Sequence, residues 1–184
     1  MTSPPEVETV TLYARLDSPL GPLLACASGG AITGLWFEEG RHAPAPGAGW
    51  RRAPQDPVLR QLAREIAEYF AGRRRTFDVA VAPAGTPFQQ AVWRALRTVP
   101  YGATASYAAI AAAIDRPRAV RATGAANARN PVSILIPCHR IVGADGALTG
   151  YAGGIARKEW LLLLESGIVA PSPPPPPPRQ GTRA

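Results

Sequence analysis

A thiol and an imidazole stand side by side at Cys138-His139, and the chain offers few other places for reactive chemistry. It holds two cysteines, Cys26 and Cys138, and two histidines, His42 and His139. The pair sits in Ile134-Leu135-Ile136-Pro137-Cys138-His139-Arg140-Ile141-Val142, an aliphatic run of the kind that makes buried strands, bent by a proline. Neighbouring residues in a helix or strand point to different faces, so a direct Cys-His hydrogen bond needs a sharp turn, and a bridging water is the natural relay. At pH 7.4 a thiol of ordinary pKa is already about 7% thiolate. Lowering that pKa therefore gains at most about tenfold, some 1.4 kcal/mol, and sacrifices nucleophilicity. The imidazole need only take one proton. Its far nitrogen needs a partner, for which Glu165 is the candidate acid. On these residues alone, Cys138 as a small buried hydrophobe stands equally open.

The elements that must position this pair belong to a chain with 46% apolar residues, enough for a real core. No apolar run approaches the roughly 18 residues of a membrane span, and Met1-Thr2-Ser3-Pro4-Pro5 lacks the basic and apolar regions of a signal peptide. A cytoplasmic protein with reduced thiols is expected. The net charge of +7 is uneven. Residues 1–85 are neutral, 86–170 carry +5 and the tail adds two. A basic half suits an anionic partner such as nucleic acid. Arginine outnumbers lysine nineteen to one, however, so a compositional bias explains the charge as well.

In chain order, Val10 to Leu16, Leu23 to Ser28 and Ala31 to Phe37 read as strands of a small meander, the last two joined by Gly29-Gly30. Residues 38–56 read as a surface loop ending at Asp56-Pro57, an N-cap followed by proline at the first helical position. A helix follows to Ala71, with Val58, Leu62, Ile66, Tyr69 and Phe70 on one face and Gly72 as its stop. Thr76 to Val81 can return as a strand. Arg73-Arg74-Arg75 could contact nucleic acid, but such a run after a helix end is more often solvated.

A second unit opens at Thr86-Pro87, with Phe88, Val92, Trp93 and Leu96 as a helical stripe and Trp93 read as core. Ser106 caps a short helix through Ile114, and Ala119 to Ala128 forms a second one after Asp115-Arg116-Pro117-Arg118. Two short helices around a tight turn suggest a helix-turn-helix, a pattern that ordinary bundles share. The second helix is distinctive. Ala119, Ala122, Thr123, Gly124, Ala125 and Ala126 are small and arginines flank them, a poor core packer but a good surface for close approach to a phosphate backbone or narrow groove. Arg121, in the middle of the small face, is the arginine singled out. Leu148-Thr149-Gly150-Tyr151-Ala152-Gly153-Gly154 lacks phosphate-loop spacing and reads as a flexible wall beside the thiol. A last helix spans Ile155 to Glu165, and Pro171 to Ala184 reads as a disordered or polyproline II tail. The fold class is α+β. A small N-terminal antiparallel sheet plus helix (1–85) precedes a mostly helical domain with a helix-turn-helix (86–170) and the proline-rich tail (171–184).

Ile136-Pro137-Cys138-His139-Arg140-Ile141-Val142, preceded by Asn130-Pro131 and followed by Gly150-Tyr151-Ala152-Gly153-Gly154 and Lys158-Glu159-Trp160-Leu161, closely resembles the O6-alkylguanine-DNA alkyltransferase family, the methylated-DNA–protein-cysteine methyltransferases. The match covers roughly residues 86–167, and the sheet-plus-helix reading resembles the family's variable first domain. The resemblance implies a single-use repair protein that docks a helix-turn-helix in the minor groove of duplex DNA, flips an O6-alkylguanine and takes the alkyl group onto its cysteine. Carried over by motif, Cys138 is the acceptor, His139 the water-mediated base, Glu165 the group orienting it, and Asn130 shapes the turn holding the thiol. Tyr107 would donate to the leaving guanine and Arg121 would fill the vacated stack. Ser106, Ala119, Ala122, Thr123 and Gly124 would face DNA, while Tyr151, Ala152 and Gly153 line the alkyl pocket. O4-alkylthymine is a further candidate substrate.

Attack at a saturated carbon creates no tetrahedral oxyanion, so no oxyanion hole is required. Only Cys26 and His42 could supply zinc ligands elsewhere, short of four, so no metal and no cofactor are expected. No membrane contact or obligate protein partner is implied, and a monomer is expected. Two alternatives stand beside the alkyltransferase. A relative that binds alkylated DNA without repair would lack the reactive cysteine. A Cys-His hydrolase would need direct Cys-His contact and repeated turnover.

Overall fold

In a computed structural model, residues 10–167 are described. The tail expected at 171–184 lies outside them. Three antiparallel strands, β1 (Thr11–Leu16), β2 (Leu23–Ser28) and β3 (Ala31–Phe37), form as the alternation predicts. Gly29 and Gly30 both take positive φ at the tight β2–β3 turn. A fourth strand, β4 (Trp50–Arg52), lies inside the stretch read as a loop and pairs in parallel with β1, giving the order β3-β2-β1-β4. The sheet is therefore mixed rather than purely antiparallel. Three residues flanked by Gly and Ala leave no periodicity to read; the packing of Trp50 against Tyr13, ring centres 6.1 Å apart, accompanies the pairing.

Helix α1 (Pro57–Phe70) starts where Asp56 accepts from the amides of Val58 and Leu59. It lays Leu59, Leu62, Ile66 and Tyr69 inward, and each such buried side chain is worth about 1.5–3 kcal/mol. One buried position on this helix is charged. Glu65 accepts from the backbone amides of Asp78 (2.9 Å) and Val79 (3.3 Å). Those amides are spent on a side chain, so the segment read as a returning strand makes a single bridge, Val81 to Ile32. Within the arginine run, Arg74 pairs with Glu68 and Asp78, and Arg75 lies over the Tyr101 ring. Those two side chains serve the chain's own structure.

Helix α2 (Pro87–Leu96) opens with a capping box between Thr86 and Gln89 and buries Val92, Trp93 and Leu96. A two-residue strand β5 (Ala105–Ser106) leads into α3 (Tyr107–Ala113), whose first turn Ser106 caps through the Ala109 amide. After a turn that holds Asp115 at φ 56°, α4 (Val120–Ala128) follows. Strand β6 (Ile141–Val142) pairs in parallel with β5, and α5 (Ile155–Glu165) closes the described chain. The sheet and the helical part are sewn together by backbone. Leu35 in β3 donates to the Pro131 carbonyl and accepts from the Ser133 amide, both at 2.8 Å, and one apolar core runs through both parts. None of the described helices is long and apolar enough to cross a membrane.

Two glycines with similar backbones separate conformational strain from steric exclusion. Gly72 has φ 71° with open space where a Cβ would go, whereas Gly102 has φ 77° and a Cβ there would lie 2.9 Å from the Glu165 carbonyl oxygen. In urea unfolding, Gly72→Ala is expected to cost about 1–2 kcal/mol, the left-handed penalty alone. Gly102→Ala is expected to cost clearly more. Equal losses would contradict the close approach.

Candidate active site

The reactive segment is built from tight turns rather than the buried strand its aliphatic run predicts; only Ile141–Val142 is strand. Ile134, a β-branched residue, has φ 71°, and Leu135 donates to the Ser133 carbonyl across it at 2.8 Å, a three-residue turn in a backbone region such residues rarely enter. A second such turn, Cys138 amide to Ile136 carbonyl at 2.8 Å, brackets Pro137. Asn130 holds both. Its Nδ2 donates to the Ile136 carbonyl at 2.8 Å and to Cys138 Sγ at 3.1 Å, while its Oδ1 accepts from the Val132 amide at 3.0 Å. One side-chain amide thus takes up a carbonyl that a strand would offer to a neighbour. Cys138 then begins a single 3-10 turn that ends at Arg140.

This turn sends His139 into the interior, where Nε2 lies 2.8 Å from Glu165 Oε1. The carboxylate accepts from five donors. Tyr69 Oη (2.7 Å), His139 Nε2 and Arg140 Nη2 (3.0 Å) meet Oε1; Arg140 Nε (2.8 Å) and the Gly102 amide (3.2 Å) meet Oε2. Burial opposes the charge on Glu165, but the His139 and Arg140 contacts win and hold it down at about 2. An ionised carboxylate can only accept, so Nε2 carries the proton and Nδ1 is the basic nitrogen. Nδ1 has no hydrogen-bond partner among the described residues, and no hydrogen bond joins the imidazole to Sγ. Burial lowers the His139 pKa, with Glu165 opposing, so the ring is neutral at rest.

The thiol departs from the expectation of a partly ionised nucleophile. Burial pushes Cys138 up to about 11, with the Asn130 hydrogen bond and the charge of Lys158 pulling the other way. At pH 7.4 such a group is about 0.03% thiolate rather than 7%. Lys158 is itself fully buried, its ammonium donating to the carbonyls of Ile141 and Thr149 (2.8 Å to the latter), and burial brings it down to about 8. It remains mostly cationic near neutrality and close enough to the sulfur to favour its ionisation. Arg140, Lys158, Gly102 and Tyr69 were not among the residues singled out. Arg140 and Lys158 lie within the motif residues; Tyr69 was visible only as one of α1's apolar positions.

Helix α4 presents Arg121, Ala122 and Ala125 to solvent, with Ala119 and Gly124 half-buried. Thr123 points the other way and is fully buried with Ala126 and Asn127, so its side chain lies on the inward face rather than the outer surface. Small residues let α4 approach its neighbours closely: Trp93 Nε1 donates to the Ala126 carbonyl at 2.9 Å, and the Tyr107 ring packs on Gly124. Asn127 reaches the Cys138 carbonyl at 3.4 Å. Tyr107 donates to the Thr149 carbonyl at 3.1 Å, the same oxygen that Lys158 holds. The glycine-rich wall is tied down further at Ala152, whose carbonyl accepts from Arg41, and at Gly153, whose carbonyl accepts from Arg157. Tyr151 is buried, and a Cβ on Gly153 would collide with its ring and with Phe37.

Two family models match this architecture: the 6-O-methylguanine DNA methyltransferase ribonuclease-like domain over residues 11–83 and the DNA binding domain of the same proteins over residues 87–167. A methylated-DNA–protein-cysteine methyltransferase from Methanosarcina barkeri is 45% identical over 83% of this chain and 96% of its own length. The chain belongs to the methylated-DNA–protein-cysteine methyltransferase family. A Mycobacterium tuberculosis member is 46% identical over 83% of this chain and 91% of its own. The crystal structure of Mycobacterium tuberculosis OGT in complex with DNA superimposes with a TM-score of 0.78 at 44% identity, covering 85% of this chain and 94% of that one.

The depressed Glu165 pKa has a sign that stability can report. A carboxylate held below its unfolded value stabilises the fold above about pH 4.5, and that contribution is lost as pH falls toward 2. The difference of roughly 2.5 pKa units corresponds to about 3 kcal/mol. In urea unfolding, the wild-type advantage over Glu165→Gln is expected to shrink by about that amount between about pH 4.5 and pH 2. A difference independent of pH would show that the carboxylate is not ionised against Arg140 and His139.

Proposed function

We propose that this protein repairs alkylated DNA by moving the alkyl group of O6-alkylguanine irreversibly onto Cys138, once per molecule. The observation that carries the reading is the arrangement of groups around the sulfur. A thiol held by Asn130 is followed by an imidazole whose Nδ1 is basic and whose Nε2 proton is fixed on a buried carboxylate. Sγ attacks the saturated alkyl carbon as the carbon–O6 bond breaks. The thiol proton passes through water to His139 Nδ1, Tyr107 gives its proton to the departing guanine, and the imidazolium proton returns through solvent to Tyr107, so that the net transfer is from the thiol to the guanine. Burial raises the thiol and lowers the imidazole, so the resting pair is neutral and the proton moves as the alkyl carbon is engaged, with the cation of Lys158 supporting the developing thiolate. The thioether product has no carbonyl for water to attack, which makes the acceptor single-use.

The partner in this reading is duplex DNA, entered from the minor groove by the exposed face of α4 with Arg121, Ala122 and Ala125 and the flanking Ala119 and Gly124. Extruding a guanine costs a few kcal/mol, less where the alkylated base is poorly paired, and Arg121 in the vacated stack offsets part of it. Tyr107 exchanges its bond to Thr149 for one to the base, and Tyr151, Ala152 and Gly153 bound the alkyl group. Residues 86–170 carry binding and transfer, and residues 1–85 support them. The protein acts as a cytoplasmic monomer without metal or cofactor. Cysteine hydrolysis has nothing specific in its favour, since Sγ and the imidazole share no hydrogen bond.

Incubation with an O6-methylguanine duplex is expected to add one CH2 to the intact mass, mapped to Cys138 and absent in Cys138→Ala. Tight binding with unchanged mass, or repeated turnover, would overturn the assignment. Arg121→Ala is expected to slow transfer from duplex DNA at least tenfold, equivalent to about 1.4 kcal/mol, while leaving reaction with a free O6-alkylguanine base unaffected. Equal slowing on both would remove Arg121 from base extrusion.

A further inference from the structure

Tyr69 is an unexpected member of the buried network. It lies on α1, 96 residues before Glu165 and far in sequence from the reactive segment, and its ring is fully buried between Phe70, Phe77 and Tyr101, at centre distances of 5.5, 5.5 and 6.2 Å. Its hydroxyl makes the shortest of the five contacts to Glu165 and lands on Oε1, the same oxygen that holds His139 Nε2. A carboxylate offers about four lone-pair sites, and this one meets five donors. Oε1 alone meets three. Donors on a shared oxygen compete, because each draws electron density away from the others.

We propose that Tyr69 is a positioning residue that shares Glu165 Oε1 with His139 and so limits how strongly the imidazole's Nε2 proton is held, making the basicity of Nδ1 depend on the docking of α1. The proposal deepens the alkyl-transfer reading and rests on it for its meaning, though not for its main test. The hydroxyl can act in only one direction. Burial and the neighbouring Glu165 charge keep Tyr69 protonated, and an ionised carboxylate cannot donate to it. Removing the hydroxyl alone does not free the carboxylate to swing away, because Arg140 grips both oxygens at 2.8 and 3.0 Å and the Gly102 amide holds Oε2. What changes is the charge density on Oε1. With one competitor gone, the oxygen pulls harder on the Nε2 proton, and Nδ1 becomes the stronger base. The other charged groups that act on this imidazole, Arg140 and Lys158, and the neighbouring thiol of Cys138 stay in place.

Tyr69→Phe keeps the ring and deletes only the hydroxyl, and the chain's two histidines make the readout simple. In nitrogen-15-edited spectra the His139 Nε2 proton is expected to move downfield in Tyr69→Phe. The His139 titration midpoint, or the acid limb of the alkyl-transfer rate where the ring does not titrate before unfolding, is expected to rise by about 0.5 pKa unit. The nitrogen-15 signals of exposed His42 should stay in place and serve as the internal reference. A merely structural role for Tyr69 would lower stability and move neither reading. An Nε2 proton that stays put or moves upfield, or an acid limb that stays or falls, would overturn the proposal. Loss of alkyl transfer in the wild-type protein would instead overturn the functional reading and leave the spectroscopic result standing.

Discussion

A carboxylate buried away from water is the constraint around which this protein is arranged. An isolated charge in such a place is prohibitive, and leaving one partner of a buried pair uncompensated is worth about 3–5 kcal/mol of lost stability. Glu165 is made tolerable by drawing donors from widely separated parts of the chain: Tyr69 from α1, the Gly102 amide from the turn after α2, and His139 with Arg140 from the reactive segment. Each donor must arrive from its own element, so the charge is satisfied only when α1, α5 and the turns are all docked. A network that holds the base in one tautomer is then also a check that the fold is complete.

The same burial shapes the chemistry. A sulfur with a pKa of about 11 is protected by its own proton. An exposed, low-pKa thiolate would be open to oxidation and to stray alkylating agents, and a protein able to react only once would be spent on them. Here burial keeps the Cys138 thiol protonated and uncharged near neutral pH. Asn130 on the sulfur and Lys158 nearby ease ionisation without making it complete. The resting structure trades immediate nucleophilicity for selectivity.

Much of this was readable from residue types, and the failures have physical causes. Strands β1 to β3 and helices α1 and α2 announced themselves through alternation, Asp56-Pro57 and Thr86-Pro87 because local chemistry decides them. Strand β4 did not, because three residues flanked by small ones gain their pairing only from β1. Thr76 to Val81 looked like a strand until Glu65, a helical residue of no obvious interest, took its amides. The aliphatic run at Ile134 to Val142 misled for a similar reason: Asn130 takes the Ile136 carbonyl, and the segment closes into tight turns instead of pairing as a strand. In the site, the choice of Glu165 as the acid for the His139 imidazole was legible from residue types, and the structure brings the two together. Tyr69 was read as one more apolar position, since periodicity reports which way a side chain points and not what its hydroxyl meets. The thiol's ionisation was misjudged because burial cannot be read from the pair's types alone.

Asn127 and Asn130 sit three residues apart around the end of α4; the first donates to the Cys138 carbonyl and the second to its sulfur and to the Ile136 carbonyl. Trp93 fastens the same helix to α2 through the Ala126 carbonyl. Hydrogen bonds therefore tie the end of α4 directly to the turn that carries the thiol. Small residues make this possible twice over. On the outer face they leave room for a partner's backbone, and on the inner face they let α4 lie close to Trp93 and Tyr107. Were α4 built from larger residues, the helix would stand farther off, and two short asparagine side chains could not reach the reactive turn. The smallness that first suggested a groove-binding surface is as much a condition for holding the cysteine in place.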